Sequence, residues 1–136
     1  MPHVVDNEQV WMVDVDDSLV LWDFEDNEIG PIPIICPYDG TTYKLLPHSG
    51  NIRLLKEKKA RGAHITVWSQ GGWKWAEAVV KALCLMHHVD IIQSKPIGII
   101  DDLPSEAWMP KSTYIPINSK WKASGAATTN GGQGGK

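Results

Sequence analysis

The sequence predicts a three-layer α/β domain built on a parallel sheet, with a β-hairpin inserted near its start. Three observations predict it. Short apolar runs of strand length recur along the chain, segments of helical period separate several of them, and one stretch between the first strand and the first helix has hairpin chemistry instead. With 136 residues, 43% of them hydrophobic and 21% charged, the chain is long enough to close a single core by burial alone.

Taken in order, "QVWMVDV" (9–15) reads as the first strand. The insert "PIPIICPYDGTTYKLLP" (31–47) places two β-prone runs around an Asp-Gly pair, a favoured hairpin turn because both residues tolerate positive φ. Its prolines at 31, 33, 37 and 47 suit edge strands that must not recruit another chain. "NIRLLKEKKARG" (51–62) reads as a helix capped by Ser49 or Asn51 and stopped at Gly62. "AHITVW" (63–68) is the second strand, and "GWKWAEAVVKALCLMHH" (72–88) a helix that sets Ala76, Val79, Val80, Leu83 and His87 on one face. "VDIIQS" (89–94) and "IGIID" (97–101) follow as buried strands, with "TYIPI" (113–117) a weaker fifth. Residues 1–121 therefore read as one domain, and 122–136 as a flexible, Gly-rich tail with almost nothing to bury. Its "GGQGGK" is one residue short of a phosphate-binding loop and lacks the flanking strand and helix.

Charge and cysteine usage narrow the function classes. A net charge of −3 and a pI near 5.9 argue against a protein that grips nucleic acid through its phosphates. Cys36 and Cys84, far apart and without metal-ligand spacing, read as reduced thiols. No stretch reads as a signal peptide or a membrane span, so the expectation is a soluble cytoplasmic protein with no membrane partner.

The chemistry lies in polar residues placed directly after apolar strands. Asp14 ends the first strand, with Asp16 and Asp17 just beyond; Ser69 ends the second; Lys95 separates the third from the fourth, which ends in Asp101 and Asp102. In open parallel sheets ligands bind at the carboxyl ends of strands, so these groups converge on one site. Several carboxylates share a pocket only with positive charge among them, and hard oxygen donors of this kind select Mg²⁺. Mg²⁺, a lysine, a hydroxyl and an accessible carboxylate together suit attack on a phosphoryl group, whose transfer depends on positioning and charge neutralisation.

This ordered set resembles the haloacid-dehalogenase (HAD) superfamily of phosphohydrolases. Its four motifs match "DVDDS" (14–18), "ITVWS" (65–69), Lys95 in "QSKP" and "GIIDD" (98–102), in order. The resemblance implies a Rossmann-like sheet. "DDLP" and the hairpin insert, in place of a large cap domain, are similar to the small C-terminal-domain phosphatases and to the phosphatase module of polynucleotide kinase-phosphatases. Ser18 stands where Thr is frequent, which retains the hydroxyl.

The resemblance implies roles as well. Asp14 is the nucleophile that forms an aspartyl-phosphate, and Asp16 is the general acid and then base. Dehalogenating members typically lack that second acid, so Asp16 favours phosphate chemistry. Ser69 and Lys95 grip the phosphoryl oxygens. Mg²⁺ is held by the Asp14 carboxylate, the Asp16 main-chain carbonyl and an acid of the fourth motif; Asp102 is favoured as the direct ligand and Asp101 as the partner of Lys95, with the reverse left open.

Plainer readings stand beside these. Asp17 reads as a turn residue, Ser69 also as a cap for the following helix, and one of Asp101 and Asp102 as a cap before Pro104. His48, at the base of the hairpin, could face the site but reads as a structural or exposed residue ahead of a catalytic one, and His87 and His88 read as helix-end residues with no metal role. The run "KEKKAR" (56–61) reads as a solvated helix face. Of seven tryptophans, Trp11, Trp68 and Trp75 read as core, while Trp22, Trp73 and Trp108 follow motifs and are candidates for the mouth of the site.

The function expected is a Mg²⁺-dependent phosphatase. A receiver-type signalling domain shares the residue types, but there the paired acids come first, which speaks against it; a phosphotransferase is not separated from a hydrolase by sequence. With no cap, an open site suits a phosphoprotein, a nucleic-acid end, a nucleotide or a small phosphate ester; oligomeric state is left open.

Overall fold

In a computed structural model of the chain, the described residues are 9–25 and 30–109. They divide after Lys95 into two compact units.

The first unit is mixed α/β. Its parallel sheet has three strands in the order β1 (Val10–Asp14), β5 (His64–Ser69) and β6 (Ile91–Ser94). Asp14 lies opposite Trp68, and Ser69 opposite Ser94, so all three strands end at the same edge of the sheet. Strand β5 is central among them, and the apolar run of its sequence is buried as a parallel strand demands: Ile65 and Val67 are fully inaccessible. Each such side chain contributes about 1.5–3 kcal/mol by leaving water.

The insert forms the expected hairpin, β3 (Ile32–Ile35) against β4 (Thr42–Pro47), and β4 also pairs with the short β2 (Val20–Leu21). The result is a second, antiparallel sheet of order β2-β4-β3, in which Pro33 sits on the edge strand β3. The turn differs from the two-residue type expected. The Cys36 N–H donates to Thr41 O and the Gly40 N–H to Cys36 O, so Pro37–Gly40 form a longer loop in which Gly40 alone has positive φ.

Helix α1 (Ser49–Ala60) starts two residues before the expected Asn51, because its cap is His48, whose imidazole Nδ1 accepts the Asn51 N–H at 3.1 Å. It ends in a Schellman turn: the Gly62 N–H donates to Lys59 O and the Ala63 N–H to Lys58 O, with Gly62 at φ 95°. Helix α2 (Trp73–Ala82) buries Trp75, Ala76, Val79 and Val80 against β5, β6 and β3. It is shorter than the expected 72–88. The same capping turn recurs, with the Cys84 N–H on Lys81 O, the Leu85 N–H on Val80 O and Cys84 itself at φ 58°. Leu85, fully buried, anchors that turn. His87 and His88 consequently belong to a separate 3₁₀ turn, Met86–His88, and not to the face of α2.

In the second unit the expected strand 97–101 is absent: residues 96–104 carry no strand, and a 3₁₀ turn follows at Ser105–Ala107. Strand length and apolarity were both present in "IGIID", but Asp101 Oδ1 accepts the Leu103 N–H at 3.0 Å and turns the chain, while Pro104 withholds a donor. The segments 113–117 and 122–136, read as a weak strand and a tail, lie outside the described residues. Cys36 and Cys84 are free thiols, and no described helix is long and apolar enough to cross a membrane.

Candidate active site at the carboxyl edge of the parallel sheet

The loop after β1 is held by its apolar residues. Val15, Leu19, Val20 and Leu21 are all fully buried, and the Val15 carbonyl accepts N–H groups from Ser18, Leu19 and Val20. Anchoring Val15 in the core leaves its neighbours Asp14 and Asp16 partly exposed at the sheet edge. Asp17 takes the left-handed position at φ 62° and donates its N–H to Val20 O. Asp is among the few non-glycine residues that adopt this conformation readily.

Four of the expected site residues come together here. Lys95 Nζ lies 3.0 Å from Asp14 Oδ1, and the Ser18 hydroxyl donates to Asp14 Oδ2 at 3.1 Å. The Lys95 N–H donates to the Ser69 carbonyl at 2.9 Å, which fixes the start of the lysine against β5. Ser69, fully buried, donates its hydroxyl to Asp16 Oδ2 at 3.1 Å and accepts the Gly71 N–H at 2.9 Å. Its hydroxyl therefore serves the turn before α2, whose N-cap is Gly72, as well as the site.

Asp16 has partners that sequence reasoning did not find. Its Oδ1 accepts both Trp22 Nε1 at 2.9 Å and Trp75 Nε1 at 3.0 Å. Trp75 was expected in the core, and it is buried there, yet its one polar atom points at the site. A buried indole N–H requires an acceptor, and that requirement was the only available signal. Trp22, half exposed, is at the mouth as expected.

Beside Asp16 opens a cleft of about 490 Å³ lined by Asp16, Asp17, Trp22, Cys36, Tyr38, Tyr43, Gly71 and Trp75. The hairpin supplies its far wall. Tyr38, in the hairpin loop, accepts the Lys74 N–H at 3.3 Å and lies against Gly72, where a Cβ would collide with the phenol oxygen. Gly72 at φ 99° is required both for that approach and for its backbone conformation.

Several of the remaining candidates have structural partners. His48 is buried as the cap of α1, Trp73 carries Lys74 over its ring at 5.7 Å, and Lys58 of the basic run lies 4.4 Å over Trp11. Lys59 pairs with Asp90 at 2.9 Å. Asp90 also accepts the Ile65 N–H at 2.8 Å, and this bond, then Lys59, holds its carboxyl below the ordinary value. In the second unit the Leu103 N–H lowers the Asp101 carboxyl in the same way; this bond closes a local turn and caps no helix, since the 3₁₀ turn Ser105–Ala107 has Pro104 as its N-cap and no side-chain cap.

For a divalent cation, the first unit supplies the Asp14 carboxylate and the Asp16 main-chain carbonyl, hard oxygen donors that suit Mg²⁺, an ion that uses few protein carboxylates. Among the described residues no three His, Cys, Asp or Glu side chains form a metal-binding group. The third ligand expected from the pair Asp101–Asp102 thus rests on the sequence motif alone. Compared with known proteins, the chain matches no family model, no curated protein and no solved structure.

Proposed function

We propose that the chain is a Mg²⁺-dependent phosphohydrolase of the HAD type, with a Rossmann-like three-layer fold, that cleaves phosphate monoesters through an aspartyl-phosphate on Asp14. The observation that carries the reading is the ion pair of Lys95 with Asp14, with the Asp16 carboxylate and the Ser69 hydroxyl hydrogen-bonded to each other at the same sheet edge. A nucleophile, a proton carrier, a cation and a neutral donor within one cluster are what phosphoryl transfer needs.

In the first step an Asp14 carboxylate oxygen attacks phosphorus. The bond from phosphorus to the ester oxygen breaks, and that oxygen takes a proton from Asp16. In the second step water attacks the aspartyl-phosphate, gives its proton to Asp16, and the bond from phosphorus to Asp14 breaks to release inorganic phosphate. Lys95 screens the charge between Asp14 and the incoming phosphoryl oxygens. Ser69 exchanges its bond to Asp16 Oδ2 for one to a phosphoryl oxygen, which opens Oδ2 to the proton, while the two indoles keep Oδ1 in place. Mg²⁺ would be held in the first unit by the Asp14 carboxylate and the Asp16 main-chain carbonyl, and would supply charge neutralisation at the phosphoryl group.

A second reading, a phosphoryl-binding module without turnover, draws on the three donors that already occupy Asp16. The test that separates them is hydrolysis of an aryl phosphate by wild type and Asp14→Asn, with Mg²⁺ and with excess EDTA. Activity that needs both Asp14 and the metal supports the hydrolase; binding of phosphate or a phosphonate with no turnover by wild type supports the module.

A further inference from the structure

We infer that the cleft beside Asp16 is a subsite for a planar aromatic group on the leaving side of the substrate, an inference that rests on the phosphohydrolase reading for its placement. Asp16 Oδ1 is hydrogen-bonded to Trp22 and Trp75 together. Any ester oxygen that receives a proton from this carboxylate lies within hydrogen-bond reach of it. The group attached to that oxygen then starts at Asp16, on the rim of a cleft that Trp22 and Trp75 also line.

The rings themselves are arranged as a wall. Trp22 and Tyr43 meet at 5.0 Å in an edge-to-face pair, and Trp75 lies 6.0 Å from Trp22 and 6.1 Å from Tyr43. These separations are too small to admit a ligand between the rings, so a ligand stacks on their outer surface. Trp22 and Tyr38, which both line the cleft, keep 41% and 54% of their surface exposed, so aromatic surface remains open to a ligand there. The volume of about 490 Å³ suits a ring with a few substituents. Among the described residues no Lys, Arg or His lines the cleft, whereas Asp16 and Asp17 do. That lining rejects a leaving group that is itself anionic and favours a neutral ring, including one whose substituents donate hydrogen bonds.

Benzyl phosphate and cyclohexylmethyl phosphate test the inference, because the two leaving groups are alike in size and basicity and differ in aromaticity. Wild type should turn over the benzyl ester with a kcat/KM roughly two- to twelvefold higher, the range expected of one stacked aromatic pair, and Tyr43→Leu should bring the ratio toward one. Independently of turnover, benzyl phosphonate should quench indole fluorescence at lower concentration than cyclohexylmethyl phosphonate does. Adenosine monophosphate against ribose 5-phosphate forms a second arm: preference there and not for benzyl would place the ring one sugar away from the ester oxygen. Selective quenching without turnover of any ester would keep the aromatic subsite and overturn the hydrolase. Asp14-dependent turnover with equal rates for each pair, and equal quenching, would overturn the subsite alone.

Discussion

Lys95 Nζ stands 3.0 Å from Asp14 Oδ1, an ion pair that reaches across the end of β5 from the outer strand β6 to the outer strand β1. Adjacent strands are about 4.8 Å apart, so the pair spans two spacings, a gap that a long cationic side chain covers and a short one does not. Both partners are about a third exposed, 29% and 33%, which limits what the pair adds to stability.

Lys95→Met and Asp14→Asn are therefore expected to change folding stability by no more than about 1 kcal/mol. Activity should fall by about 10²–10³ for Lys95→Met, as for loss of one preorganised charge stabiliser, and to background for Asp14→Asn. Thermal melts and aryl phosphate hydrolysis on the same preparations check both halves.

Asp16→Asn separates proton transfer from the rest. With an alkyl phosphate the rate should drop by about 10²–10⁴, whereas an activated aryl phosphate, whose leaving oxygen needs little protonation, should lose far less. A uniform loss across leaving groups would assign Asp16 to positioning instead.

At Gly72 the prediction concerns the hairpin. An alanine there meets the Tyr38 phenol and must hold φ 99°, ψ 159°, a region almost confined to glycine. Gly72→Ala should cost about 1–3 kcal/mol in urea unfolding.

Cys84 offers the opposite sign. It is exposed and sits at φ 58°, where a side chain is strained. Cys84→Gly should raise stability by about 0.5–1 kcal/mol, the left-handed strain relieved less the added freedom of the unfolded chain.

The acid limb reports on Asp90. Its carboxyl is held below the ordinary value of 3.8 by the Ile65 N–H and then Lys59. A depressed folded value means that the stabilisation is fully present above the unfolded value and is lost as pH falls through the folded one. The stability difference between wild type and Asp90→Asn, measured by urea melts, should thus be constant near neutrality and shrink below pH 3.8.

Much of the site was legible because parallel strands announce themselves. "VWMVD", "HITVWS" and "IIQS" are apolar runs of the right length, and the residue after each run emerges at the carboxyl edge whatever the details of packing. The run "IGIID" obeyed the same local rule and forms no strand, since a strand exists only by pairing and a local turn at Asp101 competes for the chain. Helix α2 was overextended because its stop is a cysteine in a conformation usually announced by glycine.

By itself the sequence determined which residues stand at the ends of β1, β5 and β6, since backbone periodicity is a local property of the chain. Only the tertiary structure decided what those residues touch. Trp75 reaches Asp16 across 59 positions, and Lys95 reaches Asp14 across the whole sheet. Such contacts arise from how buried faces pack and how buried N–H groups find acceptors, and no local pattern of residues encodes either.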